Sequence, residues 1–250
     1  PDPGKPENLL DLIATVQECK ADIGIAFDGD GDRLGGITGL GEIIFPDQLM
    51  MIFAEDVLVK HPRSKIIFDV KCSNLLAKII ETAGGEAIMS PTGHFHIKNA
   101  LKKSGAPLAG EMSGHIFFND QWYGFDDGHY SAFRLLEIIA KQNKPLADMF
   151  KNLPKAFSTP EINIDVLESR KFSIVDDFIQ KSSFDNGEKV TIDGLRVNFQ
   201  DGWGLLRASN TTPKLVLRFE AQTSERLDEI QKLFLDQLKQ IDESIEIKLS

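Results

Sequence analysis

Apolar residues in the N-terminal part of the chain alternate between helical spacing and short continuous runs. The spacing predicts helices over 8–20, 47–60, 73–83, 94–104 and 127–141, and the runs predict strands over 23–27, 65–70, 86–89, 107–110 and 116–118. Strands and helices that alternate in this way form right-handed crossovers around a mostly parallel sheet. We therefore expect a three-layer α/β domain with a mixed, mostly parallel sheet.

The pattern changes after segment 151–160, which carries two prolines and which we interpret as a linker. Beyond it, strands are predicted over 161–166, 189–192, 195–199 and 214–222, with helices over 173–181 and 224–241. Strands grouped in sequence and flanked by helices are typical of α+β folds. The C-terminal part is thus predicted to be a small α+β domain.

The composition is that of an ordinary soluble globular protein, because 42% of the 250 residues are hydrophobic and 26% are charged. The net charge of −10 argues against a general nucleic-acid surface, and no apolar run approaches the roughly 18 residues that span a bilayer. With only Cys19 and Cys72 present, we expect no disulfide scaffold and a reducing, cytoplasmic setting. The first residues lack a signal-peptide pattern and an initiator Met, which we interpret as the start of a fragment.

Three aspartates at alternate positions, Asp28, Asp30 and Asp32, follow an apolar run and precede Arg33. Their carboxylates repel one another unless a cation gathers them, and the intervening glycines let the backbone curl so that they converge. Hard oxygen ligands suit Mg²⁺. The loop also follows a predicted strand, and α/β proteins place ligands at the carboxyl ends of strands.

Other interpretations of this loop are open from the loop alone, the simplest being an acidic surface turn. An EF-hand loop beginning at Asp28 is excluded, because its sixth position would be Arg33 rather than Gly and its twelfth is Gly39 rather than Glu. Phosphatases of the haloacid dehalogenase class also place Asp-x-Asp after an apolar strand, with the first Asp as nucleophile. The aspartates by themselves do not decide between that chemistry and a metal site.

A polar cluster between two predicted strands contains Glu111, Ser113 and His115. Glu111 can accept from two adjacent hydroxyls, Ser113 can donate or accept, and His115 can do either or move a proton. Such a cluster suits a sugar, and the alternative is a solvated loop.

Two further candidates precede or begin helices. Thr92, Gly93 and His94 stand at a predicted helix start, where unpaired N–H groups favour anions. Thr92 could equally cap that helix. Lys71 lies just past a predicted strand, where a lone lysine is usually solvated surface.

Segment 207–213 collects one guanidinium, three hydroxyls and an amide in Arg207, Ser209, Asn210, Thr211 and Thr212. Arg binds phosphate oxygens through two parallel hydrogen bonds, and hydroxyl and backbone donors fill the remaining lone pairs. Lys214 adds positive potential. We favour a phosphate site over a plain polar turn.

Together these loops resemble those of the α-D-phosphohexomutase superfamily, of the phosphomannomutase/phosphoglucomutase type, in order and approximate spacing. The resemblance covers essentially the whole chain and leaves the dehalogenase interpretation without an account of the second and third loops. It implies the end of domain two over 1–38, domain three over 39–151 and domain four over 152–250. Domain one, with the phosphoserine, would be absent, so the chain would be a truncated form that is inactive alone.

The resemblance also implies roles, cofactor and partners. The metal Mg²⁺ would be held by Asp28, Asp30 and Asp32; the catalytic residues would be Arg33, Lys71, His94 and His115; and the substrate would contact Thr92, Gly93, Glu111, Ser113, His115, Arg207, Ser209, Asn210 and Thr211. The substrates would be mannose or glucose 1- and 6-phosphates with a bisphosphate intermediate. We expect a monomer that binds neither nucleic acid nor membrane. Met112 favours mannose and glucose phosphates, and phosphoglucosamine mutase and a non-catalytic sugar-phosphate binding module are the alternatives.

Overall fold

The computed structural model describes residues 2–245 and divides into two compact units, one ending at Pro154 and one beginning at Lys155. Each unit is described by itself. Within the described residues, no helix is both long and apolar enough to cross a bilayer.

The first unit begins with a short antiparallel sheet. Its elements are a 3₁₀ turn at Pro6–Leu9, α1 at Leu10–Cys19, β1 at Ile23–Phe27, β2 at Leu34–Thr38 and β3 at Ile43–Ile44. The strands pair in the order β1-β2-β3, and both pairs are antiparallel. The sequence did not predict β2 or β3. The aspartate loop is therefore a connection between two antiparallel strands, not the end of a parallel strand as we had expected.

A three-layer α/β arrangement follows, and it confirms the predicted fold class. The elements are α2 at Pro46–Lys60, β4 at Lys65–Asp69, α3 at Asn74–Thr82, β5 at Glu86–Ser90, α4 at His94–Ser104, β6 at Leu108–Gly110, β7 at Ile116–Phe118 and α5 at Gly128–Gln142. The sheet order is β5-β4-β6-β7, with β4 parallel to both β5 and β6 and with β7 antiparallel. One face packs on α2, α3 and α5, and the other packs on α4.

The second unit is an antiparallel sheet with helices on one face, as the α+β prediction requires. Its elements are β8 at Phe157–Ser158, β9 at Ile162–Asp165, α7 at Lys171–Lys181, β10 at Glu188–Val190, β11 at Leu195–Phe199, β12 at Gly202–Ala208, β13 at Lys214–Ala221 and α8 at Ser224–Ile241. The main order is β10-β11-β12-β13-β8, and β9 also pairs with β13. A core of aliphatic and phenylalanine side chains joins the sheet to α7 and α8.

The boundary between the two units falls inside segment 151–160, where a linker was predicted. The segment is not wholly irregular, because it also contains the end of α6 (Leu146–Asn152) and strand β8, which pairs with β13. Strand β12 was not predicted, and Arg207 and Ala208 belong to it. The predicted phosphate loop therefore begins inside a strand, which fixes the backbone of Arg207 through its pairing with Val216.

Candidate functional site

The carboxylates of Asp28, Asp30 and Asp32 converge at the connection between β1 and β2. One oxygen from each lies within 4.8 Å of the others. Asp28 is almost entirely covered, and Arg33 contacts both of its oxygens, through its backbone N–H and through Nε. Asp30 is exposed. The set offers three carboxylate oxygens close enough together that they could hold a divalent cation.

Burial and neighbouring charged groups shift the pKa values of two of these carboxylates, those of Asp28 and Asp32. The pKa of Asp28 falls to about 2, because the hydrogen bonds and charge of Arg33 outweigh the effect of burial. The pKa of Asp32 is raised by burial and by the charges of Asp28 and Asp30, against the opposing effect of His115. A cation among the three carboxylates would relieve their mutual repulsion.

The start of α5 supports the aspartate loop. The Gly128 N–H donates to the Gly31 carbonyl at 3.0 Å, and the ring of His129 stacks on Phe27 with centroids 4.2 Å apart. Gly31 has φ +77°, and a side chain there would meet the His129 ring, with Cβ 2.6 Å from Cε1. Glycine at position 31 thus satisfies both a backbone and a packing requirement.

Backbone contacts join the Glu111–His115 loop to the aspartate loop. Arg33 and His115 form an isolated antiparallel bridge, and the Leu34 N–H donates to the Gly114 carbonyl at 3.1 Å. The predicted hydroxyl-binding loop and the predicted metal loop therefore lie side by side in the first unit.

His115 lies between the two sets of carboxylates. Its Nδ1 is 3.2 Å from Glu111 Oε2 and 2.8 Å from Ser113 Oγ, and its Nε2 is 3.4 Å from Asp32 Oδ1. Burial lowers the pKa of the imidazole, but the hydrogen bond to Glu111 and the charges of Glu111, Asp32 and Asp126 raise it more. His115 is thus held near its carboxylate partners as a residue able to carry a proton.

A buried carboxylate that the sequence analysis missed links three loops. Asp69 ends β4, and its oxygens accept from the Thr92 hydroxyl at 2.8 Å, the Met112 N–H at 3.0 Å and the Cys72 thiol at 3.1 Å. The Lys71 ammonium is 4.0 Å away. Burial, with the Glu111 charge, raises the pKa of Asp69 despite Lys71. Its place at the carboxyl end of a predicted strand was the signal that could have found it.

Helix α4 begins at His94, directly after Thr92 and Gly93, and its N-terminus has no side-chain cap hydrogen bond. Thr92 donates to Asp69, and Gly93 occupies the N-cap position, where its N–H donates to Glu111 Oε1. The alternative in which Thr92 caps the helix is therefore wrong.

His94 is exposed, and its Nδ1 is 3.5 Å from Lys98 Nζ. Lys98 in turn pairs with Asp126 at 2.6 Å. Asp126 was also missed by the sequence analysis, and its carboxylate lies within 4.8 Å of donor atoms of His115 and Asp32. Lys71 is buried, not the solvated lysine of the alternative interpretation.

The predicted phosphate loop lies in the second unit. Arg207 is 4% exposed, its Nε donates to Asp193 Oδ2 at 2.9 Å, and its Nη2 has no hydrogen-bond partner in residues 2–245. A buried, unpaired guanidinium donor matches the need of a bound anion.

The rest of this loop is held by Ser209 and Lys171. Ser209 Oγ accepts from the Thr212 hydroxyl at 2.8 Å and from the Thr212 N–H at 3.1 Å, while the buried Lys171 ammonium donates to the Thr212 carbonyl at 3.2 Å. Asn210 and Thr211 are exposed. Asp193 and Lys171 were missed, although Asp193-Gly194 between two strand-like runs is a hairpin signal.

Three family models cover most of the chain: phosphoglucomutase/phosphomannomutase alpha/beta/alpha domain II over 1–41, alpha/beta/alpha domain III over 45–157, and the C-terminal domain over 161–237. The chain belongs to the phosphoglucomutase/phosphomannomutase family. This agrees with the resemblance inferred from the loops.

Relatives of this family member span about twice its length. It is 54% identical over 247 residues to a phosphomannomutase/phosphoglucomutase of Pseudomonas putida, covering 99% of this chain and 53% of the relative. A phosphoglucomutase of Neisseria gonorrhoeae is 55% identical over 236 residues, covering 94% and 51%. A crystal structure of a family protein from Burkholderia thailandensis superposes with a TM-score of 0.93 at 49% identity, covering 99% and 53%.

Proposed function

We propose that this chain carries the metal, sugar and distal-phosphate sites of a phosphohexomutase. That enzyme interconverts the 1- and 6-phosphates of mannose, glucose or both through a phosphoserine and a bisphosphorylated sugar. The phosphoserine would come from sequence outside this chain, since the curated relatives extend over about twice its length. The chain alone would bind ligands without turning them over.

Within this proposal, Asp28, Asp30 and Asp32 would hold Mg²⁺, which would supply positive charge beside the phosphoryl group in transfer. The convergence of their oxygens within 4.8 Å supports this role. Arg33, fixed by Asp28 and by Asp2 at 3.2 Å, orients this carboxylate set and borders the transferring phosphate.

Glu111 and Ser113 accept and donate to sugar hydroxyls, and His115 beside them carries the proton to or from the reacting hydroxyl. The hydrogen bond and charge of Glu111 raise the pKa of His115 against the effect of burial, and so favour its protonated form. The oriented Thr92–His94 segment and buried Lys71 complete the polar lining. Arg207, Ser209, Asn210 and Thr211 bind the phosphate that does not react, and this distant binding energy positions the sugar.

The joining of the aspartate loop and the Glu111–His115 loop through His115 is the observation that carries the proposal. The test fuses this chain to the part of the Pseudomonas putida relative that it does not match, and assays mannose 1-phosphate and glucose 1-phosphate. We expect turnover in the fusion, none in the chain alone, and strong loss in fusions with Glu111→Gln. A folded fusion without mutase activity would reject the proposal.

The same assay with glucosamine 1-phosphate distinguishes the closest alternative. A preference for glucosamine phosphate would make the enzyme a phosphoglucosamine mutase. Binding of hexose phosphates without turnover in a folded fusion would favour the non-catalytic module.

A further inference from the structure

The turn between β10 and β11 places a carboxylate on the predicted phosphate-binding arginine. Asp193 Oδ2 accepts from Arg207 Nε at 2.9 Å, and the two side chains are only 15% and 5% exposed. The pair is thus shielded from competing water.

The backbone of this turn packs directly on the strand that carries Arg207. Gly194 follows Asp193 with φ +74°, and a Cβ at that position would meet the Leu206 carbonyl and lie 2.7 Å from Arg207 Cα. Only glycine allows both this conformation and this approach. The close approach sets Asp193 at a fixed distance from the guanidinium.

The side of the guanidinium that Asp193 uses determines what remains for a ligand. Asp193 takes Nε, and Nη2 is buried without a partner among the described residues. An arginine bound at Nε retains its two Nη groups, and a pair of N–H groups from them can bind two oxygens of one phosphate.

We propose that Asp193 is a positioning residue, which holds Arg207 so that its Nη groups face a phosphate monoester. The inference rests on the proposed function, since it takes Arg207 to be the phosphate ligand. The ordering of a long side chain is then complete before the ligand binds, and this raises affinity.

The direction in which phosphate affinity changes in the Asp193→Ala variant distinguishes a positioning role from a purely electrostatic one. Removal of a negative charge beside an anion site strengthens binding if charge alone matters. If Asp193 positions Arg207, Asp193→Ala weakens binding in spite of the lost repulsion. Asp193→Asn restores it, because the amide oxygen still accepts from Nε.

The experiment titrates the chain with inorganic phosphate and with mannose 1-phosphate, in EDTA, by NMR chemical shifts. The Arg207 Nε–H signal is assigned by its loss in Arg207→Gln. For Asp193→Ala we expect a dissociation constant about tenfold higher, the scale that loss of an outer-shell partner has at metal sites. We also expect faster exchange of the Nε–H. The control, Asp185→Ala, removes an equal charge at an exposed position of the same unit.

The outcomes are distinct. If wild type binds no more tightly than Arg207→Gln, the phosphate site of the proposed function fails. If wild type binds more tightly than Arg207→Gln but Asp193→Ala matches or exceeds wild type, the positioning role is overturned. Should Asp193→Ala not fold, Asp193→Ser, whose hydroxyl is too short to reach Nε, takes its place, and Asp193→Asn must still bind as wild type does.

Discussion

His115 Nε2 and Asp32 Oδ1 lie 3.4 Å apart, although they belong to loops from two different sheets. On its other side the same imidazole contacts Glu111. Charge at the predicted metal loop is therefore coupled to charge at the predicted sugar loop through the imidazole ring of His115. A change at either loop alters the environment of the other.

Asp30→Asn should weaken Mg²⁺ binding while leaving the fold intact. Asp30 is exposed, whereas Asp28 is tied to Arg33, so Asp30 is the cleaner position at which to remove a ligand charge. We expect the affinity to fall by at least the roughly tenfold that loss of an outer-shell partner costs. Calorimetric titration with Mg²⁺ measures this, with exposed Asp22→Asn as control. Equal affinity in Asp30→Asn and wild type would contradict the metal site.

Gly31→Ala should be destabilising, and Gly29→Ala should not. Gly31 has a positive φ and a blocked Cβ direction, whereas a Cβ on Gly29 meets no atom within 4 Å among the described residues. The backbone term alone predicts a loss of about 1–2 kcal/mol for Gly31→Ala. Urea unfolding of both variants tests the contrast, and similar stabilities would show that the loop tolerates a side chain against His129.

Asp69→Ala should lower stability more than Asp69→Asn. Alanine removes the acceptor of the part-buried Met112 N–H, at a cost of about 1–3 kcal/mol, and also removes one acceptor of the Thr92 hydroxyl. The asparagine oxygen keeps the Met112 bond, and the Thr92 hydroxyl can turn to accept from the amide. Urea unfolding followed by circular dichroism gives the comparison. An Asp69→Ala chain as stable as wild type would remove Asp69 as the link among these loops.

Asp242 should contribute to acid sensitivity of the second unit. Hydrogen bonds from Ser244 lower the pKa of Asp242 against the effect of burial, and the charge of Arg170 lowers it further. A pKa depressed in the folded state adds stability above the unfolded value of about 3.9, and this stability is lost as pH falls through the folded value. Asp242→Asn should therefore flatten the loss of stability between about pH 5 and about pH 3.

The measurement follows urea unfolding through buried Trp203, which lies in the same unit, in a Trp122→Phe background. Exposed Asp236→Asn serves as the control. An unchanged pH dependence in Asp242→Asn would show that Ser244 and Arg170 do not favour the charged form.

The sequence predicted long amphipathic helices well, because their periodicity persists over several turns. The helix predicted over 94–104 is α4, with identical limits. Two strands that contain glycine, β2 and β12, were not predicted. In β12, a Cβ at Gly204 would lie 2.5 Å from the Phe234 ring, so this glycine gives room for a core side chain and does not mark a turn. Local pattern cannot separate these two uses of glycine.

Some residues of the candidate site could be predicted from the sequence, and others could not. Exposed or loop residues with unusual chemistry, such as Asp30 and Glu111, stand out by type and spacing. Asp69 and Asp193 do not, because their importance lies in what they accept from: Thr92 and Met112 in one case, Arg207 in the other. Tertiary partners of that kind are absent from the linear pattern.

The bond between the Leu34 N–H and the Gly114 carbonyl involves main-chain atoms only. Replacing the side chain at position 34 cannot delete it, short of proline, so the spacing of the two loops is shielded from most single mutations. Gly114 is the weak point: its φ is +100°, and a methyl group there would press to 3.2 Å from the Leu34 carbonyl. Side chains on either loop can therefore be substituted during evolution while the main-chain distance between the two loops stays almost the same.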